Sequence, residues 1–336
     1  MKSIAILVIS LGIILLGAEV FVNGIEWLGK KLNLSEGAVG SVLAAVGTAL
    51  PETLIPIIAI VFSDAAQGHE IGIGAILGAP LMLATLAMCV TGIAVVIFRR
   101  RRAFGVKVVA DYYSMSRDLG FFILVYAAAV LAGLIPPHYR AWQVGIGVIM
   151  VLAYCIYVVI MLFQERDIHA DHQLPQFYLA RSNPSPPLVL VVVQVLLALG
   201  FIILGAHMFV GSVTDVAEMY AVPAFVLALI ITPIATELPE KFNSIIWVSR
   251  SKDTLALGNI TGAMVFQSSL IPALGIFLTP WQLTHSALIV AVLAIASASF
   301  IFWELRKKKH ISALMLIVGG LFYALFIYLV GLGIVR

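Results

Sequence analysis

The sequence predicts an all-α membrane protein of ten transmembrane helices, arranged as two inverted five-helix repeats. Three observations lead there. Apolar residues fill 62% of the 336 positions and charged residues only 11%. A soluble domain carries roughly 25% charge, so too few charges remain here to cover a globular surface. The apolar residues also fall into long runs, and a bilayer-crossing helix needs about 20 of them. Finally, short blocks of the first half recur in the same order in the second.

Taken in order, the first run, 3–24, follows Met1-Lys2-Ser3 and passes Gly17 with no small-residue cleavage pattern. It reads as a retained helix, not a removed signal. The runs 36–62 and 71–98 are longer than a span requires and contain Gly and Pro, which predicts tilted, bent or broken helices. Runs 118–135 and 141–163 complete a first unit, 1–163. The polar stretch 164–186 holds Pro175, Pro184 and Pro186, with Pro187 directly after it, and reads as a cytoplasmic linker because proline disfavours helix. The second unit, 187–336, contains runs 187–212, 221–249, 254–278, 283–303 and 311–333. Cys89 and Cys155 both lie inside apolar runs. That argues against a disulfide framework and predicts small buried residues.

Basic residues give the runs a direction. With the N-terminus outside, the inside loops hold sixteen Lys and Arg and the outside segments hold three, Lys2, Arg140 and Arg336. Such an asymmetry places both termini outside an inner, plasma-type membrane. The stretch from Arg99 to Arg117 opens with four arginines and reads as an inside anchor, with attraction to anionic lipid the sharper alternative. Basic residues occur only in short clusters between apolar runs, so nucleic-acid binding has no support. No obligatory protein partner and no enzyme motif are evident; the expected partners are the bilayer and inorganic cations.

At an offset of 188, Leu16-Gly17-Ala18-Glu19 matches Leu204-Gly205-Ala206-His207, and Thr48-Ala49-Leu50-Pro51-Glu52 matches Thr236-Glu237-Leu238-Pro239-Glu240. At an offset of 184, Gly74 to Ala79 matches Gly258 to Ala263. Each unit has five spans, an odd number, so the second must cross in the opposite sense. That architecture places a substrate near the midplane between the halves.

Glu52 and Glu240 occupy equivalent places within the second and seventh spans. An ionisable group there costs about 2.5–3.5 kcal/mol on insertion scales, so it faces a cavity or a partner. Pro51 and Pro239 precede them and free a carbonyl one turn earlier, near Gly47 or Ala235. Thr48 and Thr236 lie four residues before the glutamates on the same helix face, and Glu237 lies three before Glu240. Carboxylates, hydroxyls and bare carbonyls form an all-oxygen set of the kind that hard cations such as Ca²⁺ prefer. The predicted ligands are therefore Glu52, Glu240, Thr48, Thr236 and Glu237, holding a transported cation and not a structural metal. Gly74 and Gly78, like Gly258 and Gly262, are four apart, a spacing that permits close helix approach.

At these residues the chain resembles the sodium/calcium exchanger family of cation/calcium antiporters. That family carries a G-[T/S]-S-x-P-E-like block in each of two inverted repeats, followed one helix later by a G-N-x-x-G-S-N-like block. The resemblance implies that Glu52 and Glu240 form a central calcium site, with the threonines as ligands of calcium or sodium, and no bound cofactor. Six family positions differ here. Ala49 and Glu237 stand where the first-block serines would be, and Gly78-Ala79-Pro80 and Gly262-Ala263-Met264 replace the G-S-N triplets. Downstream stand Ala84 and Gln267. Glu237 and Glu240 can share a proton with the cation, so protons stand beside sodium as the counter-ion. The expected function is secondary active antiport, calcium out against sodium or protons. The alternative is a cation-binding membrane protein of altered specificity, or one that does not transport, on the same scaffold.

Overall fold

The computed structural model describes residues 2–32, 49–63, 65–164, 175–180 and 185–336, with the backbone alone for 65–66, 162–164 and 238–241. The described helices are α1 (Lys2–Lys31), α2 (Leu50–Phe62), α3 (Ala65–Met82), α4 (Met88–Phe98), α5 (Tyr112–Leu134), α6 (Arg140–Gln164), α7 (Leu188–Tyr220), α8 (Ala224–Ser249), α9 (Asp253–Leu278), α10 (His285–Lys308) and α11 (Ala313–Gly331). A π-helical turn, Leu83–Ala87, joins α3 to α4, so the long third run is one rod with a defect, as its Gly and Pro content predicts. Among the described residues, eight helices are long and apolar enough to cross a membrane, and Leu50–Phe62 and Ala224–Glu237 are shorter apolar helices. Their outer faces expose large apolar side chains such as Leu16, Leu124, Ile149, Leu196 and Leu321. That surface suits lipid, where helices satisfy every backbone polar group internally.

The connecting segments gather at two ends. At one end, strands β1 (Lys107–Val108) and β2 (Ile311–Ser312) pair antiparallel, with Lys107 opposite Ser312. Beside them the buried Arg102 holds Asp253, Nη1 to Oδ1 and Nη2 to Oδ2, both at 2.8 Å. The loops after α4, α8 and α10 therefore meet there. At the other end Ser3 donates to Asp215, Gln67 to Glu218, and the Arg336 N–H to Ser286. Both ends of the described chain lie at that second end. Lys252 occupies the N-cap position of α9 without a side-chain cap, and the carboxylate of Asp253, the first helical residue, is spent on Arg102 and the Val109 N–H. Cys155 is exposed and Cys89 half-buried, and both thiols are free; the expectation of two buried cysteines fails because Cys155 sits on an outward face of α6.

Among the described residues two large hydrophobic cores form, beside a small cluster of Trp27, Phe177 and Val191. The larger is drawn from α3–α5 and α8–α11, and the smaller from α1, α2 and α7 with the facing starts of α3 and α8. The α1–α7 contact is self-complementary. A Cβ on Gly17 would meet Ile202 Cγ1 at 2.9 Å and the Ala198 carbonyl at 3.4 Å; one on Gly205 would meet Ile14 Cγ1 at 2.9 Å and the Ser10 carbonyl at 3.1 Å. Each pair maps onto the other through the offset of 188, and the pairing runs antiparallel. Gly74 and Gly78 press on α8, where an added Cβ would lie 2.4 Å from the carbonyls of Phe225 and Leu229. The equivalent glycines, Gly258 and Gly262, meet nothing within 4 Å among the described residues. The positions equivalent to Phe225 and Leu229, 37 and 41, lie outside them.

Candidate cation site

Two helices carry the predicted ligands. In α2, Pro51 occupies the first turn, where a missing N–H costs no hydrogen bond, and Glu52 follows it, buried at 6% exposure. In α8 the backbone stays helical through Pro239. Thr236 and Glu237 are buried at 2% and 3% exposure. The Thr236 hydroxyl donates to the Thr232 carbonyl at 3.1 Å. Glu237 Oε1 accepts from Gln267 Nε2 on α9 at 3.0 Å. Thr48 lies outside the described residues, and so do the side chains of Glu240 and Lys241.

A cavity of about 480 Å³ brings the two repeat blocks together. Pro51 lines it from α2, and Thr236 and Asn243 from α8. Glu19, Asn23 and Glu26 line it from α1; spacings of four and three residues put them on one helix face. Glu19 is exposed and opens on this cavity. Its repeat partner His207 is simply exposed.

The wall nearest the linker is built from the segment 175–180, through Pro175 and Tyr178. This segment is docked. Trp27 Nε1 donates to the Pro175 carbonyl at 3.0 Å and Asn23 Nδ2 to that of Gln176 at 3.2 Å. Asn23 Oδ1 accepts from the Tyr178 N–H and from Gln194 Nε2, and the Leu179 N–H donates to Gln194 Oε1. The Tyr178 hydroxyl reaches Glu19 Oε1 at 2.7 Å. Phe177 is buried edge-on against Trp27. Four of these bonds satisfy a backbone group of the segment that would otherwise be left bare.

Other polar residues divide by role. Asn243 faces the cavity, whereas Ser244 donates to the Ala256 carbonyl and accepts from Asn259, which stitches α8 to α9. At the π turn the Ala84 carbonyl accepts from Ser297 Oγ at 2.7 Å. Two features escaped the sequence reading. The Thr232 hydroxyl, one turn before Thr236, is buried with no hydrogen-bond partner among the described residues; its i, i−4 spacing from Thr236 was the available signal. The second, Asp118, is taken up below.

The sodium/calcium exchanger protein family model matches residues 2–163 and 190–332. The chain belongs to this family. CaxA of Alkalimonas amylolytica is 23% identical over 336 residues, covering 95% of this chain and 97% of its own. The crystal structure of the H⁺/Ca²⁺ exchanger CAX matches with a TM-score of 0.70 at 20% identity, over 96% of this chain and 81% of that one. The sodium-calcium exchanger NCX_Mj matches at 0.55 and 19% identity, over 97% of both. The structural likenesses establish the exchanger fold. The protein is thus a multi-pass membrane protein of a transporter family, not of an enzyme class.

Proposed function

We propose that the chain is a secondary active antiporter that exports calcium in exchange for sodium or protons, by alternating access at a carboxylate site near the midplane. One observation carries the reading: Pro51 from the first block and Thr236 from the second face one cavity, while the adjacent Glu52 and Glu237 are buried. Buried carboxylates in a membrane are costly unless a cation or hydrogen-bond donors accompany them, and an all-oxygen set suits Ca²⁺. Glu52, Glu240, Thr48, Thr236 and Glu237 are assigned as its ligands. The units 1–163 and 187–336 are assigned as inverted repeats. The self-complementary antiparallel contact of α1 with α7 supports this, because it needs a two-fold axis lying in the membrane plane.

The charge asymmetry puts the end with the 99–111 loop and the linker on the cytosolic side. The cavity lies toward that linker, which suits loading of a cation that leaves the cytosol. Protons are the second reading for the counter-ion. Ala49, Ala79 and Ala263 remove hydroxyls that would serve sodium, and Glu237 adds a carboxylate able to carry a proton.

Purified protein in calcium-loaded liposomes tests this under imposed sodium or pH gradients. Calcium flux under at least one gradient is expected, and its loss in both Glu52→Gln and Glu240→Gln. Folded wild type that binds calcium but moves none would establish the non-transporting alternative. Full flux in both variants would refute the ligand assignment.

A further inference from the structure

Asp118 is a carboxylate in the second turn of α5, almost wholly buried at 4% exposure, that no part of the proposed transport site uses. Its Oδ1 accepts from the Tyr157 hydroxyl of α6 at 2.8 Å, and its Oδ2 from the Thr261 hydroxyl of α9, also at 2.8 Å. Arg117 stands 3.4 Å from Oδ1 and also lies over the Tyr157 ring. Two hydroxyl donors and a guanidinium occupy this carboxylate, so it holds protein groups. Thr261 is fully buried and belongs to the Gly258–Ala263 repeat block.

The other side of α9 faces the site. Asn259 bonds Ser244 of α8 at 3.3 Å, and Gln267 bonds Glu237 of α8 at 3.0 Å. Helical positions advance about 100° per residue. Thr261 therefore points about 160° away from the direction midway between Asn259 and Gln267. The helix is gripped from behind by α5 and from the front by α8. A rotation of about 10° at a side-chain radius of about 6 Å moves a side chain about 1 Å, enough to break a 3.0 Å hydrogen bond such as that of Gln267.

We propose that Asp118 is a positioning residue, which through Thr261 fixes the rotation of α9 and so the Gln267–Glu237 bond beside the cation. The inference rests on the antiporter reading. Partners that orient metal-ligating groups are worth about 10–100-fold in metal affinity.

The test uses the full chain with Thr261→Val, which keeps shape and removes the donor, Asp118→Asn, and Thr261→Ser as the conservative control. Calcium flux in liposomes gives the half-saturating calcium and the maximal rate separately. Amide hydrogen exchange over 258–267, measured without any cation, gives the hold on α9. Thr261→Val and Asp118→Asn are expected to raise the half-saturating calcium about tenfold, with the maximal rate within twofold. Exchange over 258–267 should quicken, and Thr261→Ser should stay within twofold of wild type in both measurements. Unchanged exchange in Thr261→Val would overturn the inference. So would lowered thermal stability with an unaltered half-saturating calcium, since that is a merely structural role. Wild type that neither binds nor moves calcium would overturn the antiporter reading instead, and the exchange measurement would still decide the hold on α9.

Discussion

Replacing Arg102 by Met should cost more stability than any exposed basic residue of the same end. All five donors of its guanidinium are used. Nε donates to the Gly105 carbonyl at 3.0 Å, Nη1 to Val248 O at 2.6 Å and Asp253 Oδ1 at 2.8 Å, and Nη2 to Lys107 O at 3.0 Å and Asp253 Oδ2 at 2.8 Å. The two side chains are 0% and 1% exposed, so solvent does not screen the pair. Arg102→Met leaves a buried Asp253 carboxylate with the Val109 N–H at 2.9 Å and strips a donor from three carbonyls. Breaking a buried pair from one side costs about 3–5 kcal/mol, whereas replacing both members by apolar groups is often near neutral. At roughly 2 °C per kcal/mol for a chain of this size, Arg102→Met should lower the apparent unfolding temperature by about 6–10 °C. Arg102→Met with Asp253→Leu should recover most of that loss. The assay is thermal unfolding of detergent-purified protein, repeated at high salt, which should change little because a buried pair is poorly screened. A shift below about 2 °C, or a double variant no better than the single, would refute the reasoning.

Gly78→Ala should destabilise by about 1–3 kcal/mol, the usual cost of overpacking, because its Cβ would lie 2.4 Å from the Leu229 carbonyl. Gly211→Ala, with nothing within 4 Å among the described residues, should instead hold or raise the unfolding temperature, as helix propensity favours alanine by about 1 kcal/mol. Asn23→Ala removes the partners of Gln176, Tyr178 and Gln194 together. It should make the Phe177–Tyr178 region several-fold more susceptible to limited chymotrypsin digestion, and equal digestion would show that the docked segment is held without Asn23.

Much of the fold was legible because a membrane imposes simple rules on composition. Apolar runs marked the described helices to within several residues, the first part of run 36–62 lying outside them, and Gly and Pro in the third run pointed to a bent or broken helix, which the π turn at Leu83–Ala87 bears out in kind but which they did not locate. Polar cross-links were less legible, since they depend on which loops meet. Arg102 stood in a run of four arginines and looked like its neighbours, yet it alone of the four is buried. Asp253 opens α9, where a carboxylate suits a helix N-terminus, and its distant partner Arg102 is invisible in the sequence. Asp118 sat at the estimated start of a span, beside Arg117, where a charge arouses no suspicion. Only the packing of α5, α6 and α9 shows it buried between two hydroxyls. The docked segment 175–180 had been read from its prolines as a mere connector, but prolines say nothing about what an extended backbone binds.

The repeat is where sequence and structure reinforce each other most directly. A shared motif at an offset of 188 relates two segments of the chain, but by itself leaves their relative direction to a count of spans. The α1–α7 interface removes that dependence. Ile14 meets Gly205 and Gly17 meets Ile202, so moving forward along α1 moves backward along α7. Gly24 against Val195 and Ser3 against Asp215 extend the same antiparallel register to both ends. An interface in which i contacts j of the copy, and j contacts i, is isologous and needs a two-fold axis. Between antiparallel helices that axis is perpendicular to them, and for helices that cross a bilayer it lies along the membrane. The proposed inversion of the second unit is thus supported by four contacts and one sequence offset, whichever apolar runs are counted as spans.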